Sequence, residues 1–90
     1  MRSKNHRAIS PTERAHIGRV KEMNCIVCGA PGPSEAHHPE QQLHYIVIPL
    51  CKPCHGGPGY GEGWHGTRLR WSLRKMTELK AINETLRMLA

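Results

Sequence analysis

Apolar positions in this chain follow a helical period in two places and a strand-like run in one, with irregular stretches between. Ala15, Ile17, Val20 and Met23 form the first set, and Ser10-Pro11-Thr12-Glu13 precedes them. Ser10 suits the N-cap, Pro11 the first helical position, and Glu13 completes a capping box. A helix from there to about Met23 is expected, with those four residues inward, although Gly18 weakens it by about 1 kcal/mol relative to Ala. The second set is Leu69, Leu73, Met76, Leu79, Ile82, Leu86 and Leu89, recurring at steps of three and four from Thr67 onward. A break near Met76-Thr77 is expected there, because Thr77 can cap a second helix. Tyr45-Ile46-Val47-Ile48 is the one β-branched run and predicts a strand, with Pro49 limiting its pairing. Ser34–His38 predicts a shorter strand stopped by Pro39, and 39–44 a polar connection. Gly56–Gly63 holds five glycines and a proline and cannot be regular helix.

Composition changes this picture at one point. Ninety residues make one small domain, and with 4% aromatics and no Phe the core is thin. Domains this small rarely draw more than about 3–5 kcal/mol from packing alone, so a staple is expected. No apolar run reaches the roughly 18–20 residues of a membrane span. The N-terminus is basic without the apolar stretch of a signal peptide, so a reducing, cytoplasmic setting is expected. The formal net charge of +6 fits a polyanionic partner. Residues 1–9, with Arg2, Lys4, His6 and Arg7, read as a flexible basic tail, and 10–90 as the domain.

The staple is visible in the cysteines. Cys25-Ile-Val-Cys28 and Cys51-Lys-Pro-Cys54 are two tight knuckles, and together they supply the four thiolates of a tetrahedral zinc site. A disulfide pair is the competing use, but paired C-x-x-C in a reducing compartment reads as metal. A structural site of this kind supplies roughly 10–16 kcal/mol of apparent folding free energy, which offsets the thin core.

Zinc leaves the histidines unexplained. If both knuckles hold one ion, the strands between them form a hairpin. That hairpin and the segment after Cys54 bring His37, His38 and His55 to one side. Successive strand residues face opposite ways, so His37 and His38 need different roles. His44 precedes the second strand and His65 follows the glycine loop. His6 and His16 carry no such signal. Trp64 and Trp71 read as anchors of the core or loop, and Arg68, Arg70, Arg74 and Lys75 as a solvated or phosphate-facing helix surface.

Cys25-x-x-Cys28, Ala36-His37-His38 and Ile48-Pro-Leu-Cys51-x-x-Cys54-His55 together resemble the four-cysteine zinc-ribbon subgroup of HNH nucleases, the ββα-metal family, over about residues 24–56. Gly63-Trp64-His65-Gly66, after a glycine loop, resembles the phage recombination-enhancement nucleases within it. The resemblance implies a small α+β fold: a zinc-stapled ββα-metal core with flanking N- and C-terminal helices. It implies His37 and His55 as ligands of a catalytic divalent ion, magnesium, manganese or similar, and His38 as the general base. Two departures stand out. The family's Asn before the second strand is missing, and His44 is the nearest polar residue to replace it. Gly56-Gly57-Pro58 also cuts the helix after the second knuckle. His55 is then placed by a loop, or His65 serves as a third ligand from the start of the later helix.

Two functions compete. One is a metal-dependent DNA endonuclease acting with zinc as its structural ion, in a bacterial or phage-infected cytoplasm, alongside phage or host recombination proteins. The other is a non-catalytic zinc-ribbon module that binds DNA or a protein. The His pair and Cys54-His55 favour the first, since a bare ribbon needs neither.

Overall fold

The computed structural model describes residues 8–90, so most of the expected tail lies outside the described residues. The elements in order are α1 (Pro11–Lys21), β1 (Glu35–His37), β2 (Ile48–Leu50), α2 (Lys52–His55), α3 (Leu69–Leu73) and α4 (Glu78–Leu89). The two strands form one antiparallel sheet, pairing Glu35 with Leu50, Ala36 with Pro49 and His37 with Ile48. This is a small α+β fold.

The start of α1 is as its sequence dictates. The Glu13 N–H donates to Ser10 Oγ at 3.2 Å, and the Ser10 N–H donates to Glu13 Oε1 at 2.8 Å. Its inward face differs from the expected one: Glu13, His16 and Val20 are buried, while Ala15 is exposed. His16 earns burial by donating from Nε2 to the Tyr45 carbonyl at 3.0 Å, a bond that ties α1 to the loop ahead of β2.

The second strand is displaced from its expected position. Tyr45 and Ile46 lie in a turn closed by the Ile46 N–H on the Leu43 carbonyl, and pairing begins only at Ile48. Extending the observed register would set Pro39 against Ile46, and the chain bends away at Pro39 instead. Pro49 stays inside β2 for a related reason. Its carbonyl accepts from the Ile26 N–H at 3.0 Å, on the side away from β1. Alternation along a strand puts its nitrogen on that same outer edge, where no ladder bond is lost.

Cys25, Val27, Ile48, Leu50, Cys54, Trp71 and Ala81 form the core. Trp71 is its largest member and donates from Nε1 to the Cys54 carbonyl at 2.8 Å. The C-terminal helical region breaks where expected, and Thr77 caps α4 by accepting from the Lys80 N–H. Of the periodic set, Met76 and Ile82 pack against the core, but most of its leucines do not point inward. Leu73 is 70% exposed and Leu79 80%, while Ala81 and Thr85 are buried. These small residues, four apart, let α4 approach the core closely, and the Thr85 hydroxyl is satisfied by the Ala81 carbonyl at 2.8 Å. Among the described residues no helix is long and apolar enough to cross a membrane.

Candidate metal centres

The two knuckles bring Cys25, Cys28, Cys51 and Cys54 together, with their sulfur atoms within 4.8 Å of one another. Cys28 and Cys51 Sγ are 3.6 Å apart. That is far beyond the roughly 2.05 Å of a disulfide. Four sulfurs at about 2.3 Å around a tetrahedral ion would be about 3.8 Å apart. All four cysteines are free.

Burial pushes the Cys54 thiol well up, and burial also raises Cys51, with the nearby Cys25 charge adding to both. Burial works against Cys28 too, but hydrogen bonding from the Ala30 backbone and the other three thiols brings it down to about 7. A bound cation would offset the burial that raises Cys51 and Cys54. The Arg70 guanidinium Nε lies 3.4 Å from Cys54 Sγ and donates to it, so this side chain serves the knuckle. Arg68 stacks 3.6 Å over Trp64. Of the four basic residues expected on one helical surface, Arg74 and Lys75 remain exposed.

A second cluster joins His37, His55 and His65. Each comes from a different element. His37 ends β1, and His55 ends α2, which is a single turn stopped at Gly56. His55 is therefore held by a helical turn rather than a loop. His65 lies in the turn following the glycine loop, short of α3 rather than at its start. Two backbone bonds bring it there: the Trp64 N–H donates to the Cys54 carbonyl at 2.9 Å, and the His65 N–H to the His55 carbonyl at 3.1 Å.

The glycines make that return possible. A Cβ at Gly63 would lie 2.6 Å from the Pro53 carbonyl oxygen and from Gly56 Cα. Gly63→Ala is therefore expected to push the loop off α2 and separate His65 from His55, while the cysteines keep their zinc. Metal analysis should still find one zinc per chain, and binding of a second ion should weaken. Undiminished second-ion binding would show that the close approach is not needed.

The ring centroids form a near-equilateral triangle: His37–His55 5.1 Å, His37–His65 5.5 Å and His55–His65 5.1 Å. His37 is buried, His55 half-buried and His65 exposed, so the cluster opens to solvent on the His65 side. Two carboxylates hold its inner members. Glu35 Oε1 lies 2.9 Å from His55 Nδ1, and Glu78 Oε2 lies 2.8 Å from His37 Nε2. Glu35 also pairs with Lys52 at 2.9 Å. That bond, then the one with His55, holds its carboxyl below the usual range.

Carboxylate oxygens accept, so the protons of His37 and His55 sit on the outer nitrogens. With both rings neutral, the inner ones, His37 Nδ1 and His55 Nε2, face each other at 3.3 Å with two lone pairs. Facing lone pairs repel unless a cation lies between them. Two nitrogens each about 2.0–2.1 Å from one tetrahedral ion would be about 3.3–3.4 Å apart. The residues therefore fit a metal ion, with His65 as third donor. Burial pushes His37 below the usual histidine value, ahead of the opposing bond to Glu78, and keeps it in the neutral, ligating form.

His38 turns away from this cluster, as alternation along a strand requires. Its Nε2 is 3.2 Å from His44 Nδ1, with the rings edge to face. His44 thus meets the His38 ring itself. Burial, then the neighbouring His44, pushes His38 below the usual histidine value. Glu35 and Glu78 were missed by sequence reasoning. Glu35 carried a signal, two residues before His37 on the same strand face. Glu78, remote in sequence, carried none. Comparison with protein families, with curated proteins and with solved structures finds no match to this chain.

Proposed function

We propose that this chain is a metal-dependent DNA endonuclease that hydrolyses phosphodiester bonds, with His38 as general base. The supporting observation is the division of the adjacent pair. His37 joins a three-imidazole cluster, and His38 leaves it to meet His44. That is the division of labour the HNH resemblance implies.

His44 Nδ1, accepting the His38 Nε2 proton, leaves the His38 Nδ1 lone pair free to take a proton from water. His44, the nearest polar residue to the missing Asn, thereby holds the His38 ring. His37, His55 and His65 would hold the divalent ion. When bound, that ion stabilises charge developing on the phosphate and on the departing 3′ oxygen. Three imidazoles suit zinc, nickel, iron or copper better than magnesium, which prefers oxygen donors. Basic side chains, Arg74 and Lys75 among them, supply backbone contacts that carry no base specificity.

The test is nicking of supercoiled plasmid by zinc-loaded protein with magnesium, manganese, nickel, cobalt or zinc added. EDTA is expected to abolish nicking at concentrations that leave circular dichroism unchanged, because closed thiolate sites lose zinc slowly. Added ion should restore it. Activity lost only together with the fold would sink the two-site reading.

A second reading, a non-catalytic zinc-ribbon module for a DNA or protein partner, is favoured by one observation. Leu73, Leu79, Leu86 and Met88 are exposed on α3 and α4. Absence of nicking with every ion, together with a retained DNA gel shift or a captured protein, would move the assignment there.

A further inference from the structure

The first residue of α4 reaches across the molecule to β1. Glu78 follows the N-cap Thr77, and its Oε2 is 2.8 Å from Nε2 of buried His37. A carboxylate in the first turn of a helix is favoured by the unpaired N–H groups there, so the charged, accepting form suits its place. Glu35 plays the same part for His55 from the strand. Glu78 differs in lying far outside the ribbon that carries both knuckles and the His pair.

We propose that Glu78 is a positioning residue for the imidazole metal site: by accepting the Nε2 proton it fixes the tautomer and ring plane of His37, presenting Nδ1 to the ion. This rests on the three-imidazole cluster being a metal site. The chemistry is that of a carboxylate–histidine–metal relay, in which the outer carboxylate orients the ligand and raises its basicity. With Glu78 absent, no other side chain among the described residues accepts from His37 Nε2, and the ring can place its proton on Nδ1, facing His55. A proton on Nδ1 blocks ligation. α4 thus completes the site as well as covering the core.

The test uses zinc-loaded full-length protein titrated with cobalt(II). Visible d–d absorption without a thiolate charge-transfer band reports cobalt on imidazoles and not on the cysteines. Calorimetry gives the affinity. Glu78→Ala is expected to weaken cobalt binding about 10–100-fold. Glu78→Gln keeps an accepting oxygen without the charge and should recover part of that loss. Both variants should keep one zinc and wild-type circular dichroism. Nitrogen-15 shifts of the cobalt-free proteins give a readout that a purely structural role would not move. His37 should be the Nε2–H tautomer in wild type and mixed in Glu78→Ala.

Wild-type cobalt affinity in Glu78→Ala, or an unchanged His37 tautomer, would overturn the proposal while leaving the metal site intact. If zinc-loaded wild-type protein takes up no cobalt, the three-imidazole reading itself falls and the role of Glu78 with it. That failure shows in the wild type, before any variant is compared.

Discussion

Cys54→Ser is expected to cost the chain its fold. Cys54 is fully buried in the core, between Ile48, Leu50 and Trp71. A serine hydroxyl does not ionise near neutral pH, so the ion would keep three thiolates and lose its closed shell. The change also removes the sulfur to which Arg70 Nε donates at 3.4 Å. A structural zinc site contributes roughly 10–16 kcal/mol of apparent folding free energy. A small domain has about 5–15 kcal/mol of net stability in all. Loss of even half the metal term therefore exceeds what this thin core can offset. Far-ultraviolet circular dichroism should collapse or the protein aggregate, with zinc well below one per chain. A soluble, folded Cys54→Ser protein lacking zinc would show that the core suffices alone.

His38→Ala is expected to have the opposite profile: an intact molecule with little activity. His38 belongs to neither cysteine nor histidine cluster, and its ring meets His44. Its removal should leave zinc content, circular dichroism and cobalt affinity at wild-type values. Loss of a general base typically costs about 10²–10⁴-fold in rate, and that is the expected fall in plasmid nicking. The defect should also resist rescue by excess metal. A Glu78→Ala defect should yield to it, because there the weakened step is ion binding. Wild-type nicking by His38→Ala would remove His38 from the chemistry.

The legible parts of this molecule were those fixed by short-range rules. The α1 capping box, the Thr77 break and the two knuckles each depend on residues within four positions of one another. The opposed directions of His37 and His38 follow from alternation at the end of β1. Tertiary competition decided the rest. The β-branched run at 45–48 lost most of its strand because Pro39 ends the partner early, something no propensity of Tyr45 or Ile46 records. The α4 leucines scored as a core face by periodicity, yet Ala81 and Thr85 took that place because a closely approaching helix needs small residues. Glu78 was invisible because its partner, His37, lies on another element. His65 was half legible: the glycine loop marked a reversal, but only the backbone bonds to α2 show where it returns.

The single turn of α2 has a consequence for the order in which the protein matures. Cys54 and His55 are consecutive, and the segment carrying His65 hangs from their two carbonyls. Whatever immobilises Cys54 therefore immobilises two of the three imidazoles. Zinc capture would come first and build the second pocket, so an immature chain has no pocket to misload with the wrong ion. Linkage makes the effect mutual: an ion on the imidazoles would tighten zinc binding by the factor with which zinc favours that ion. The supply of zinc would then set a ceiling on the number of molecules in which the second pocket is formed.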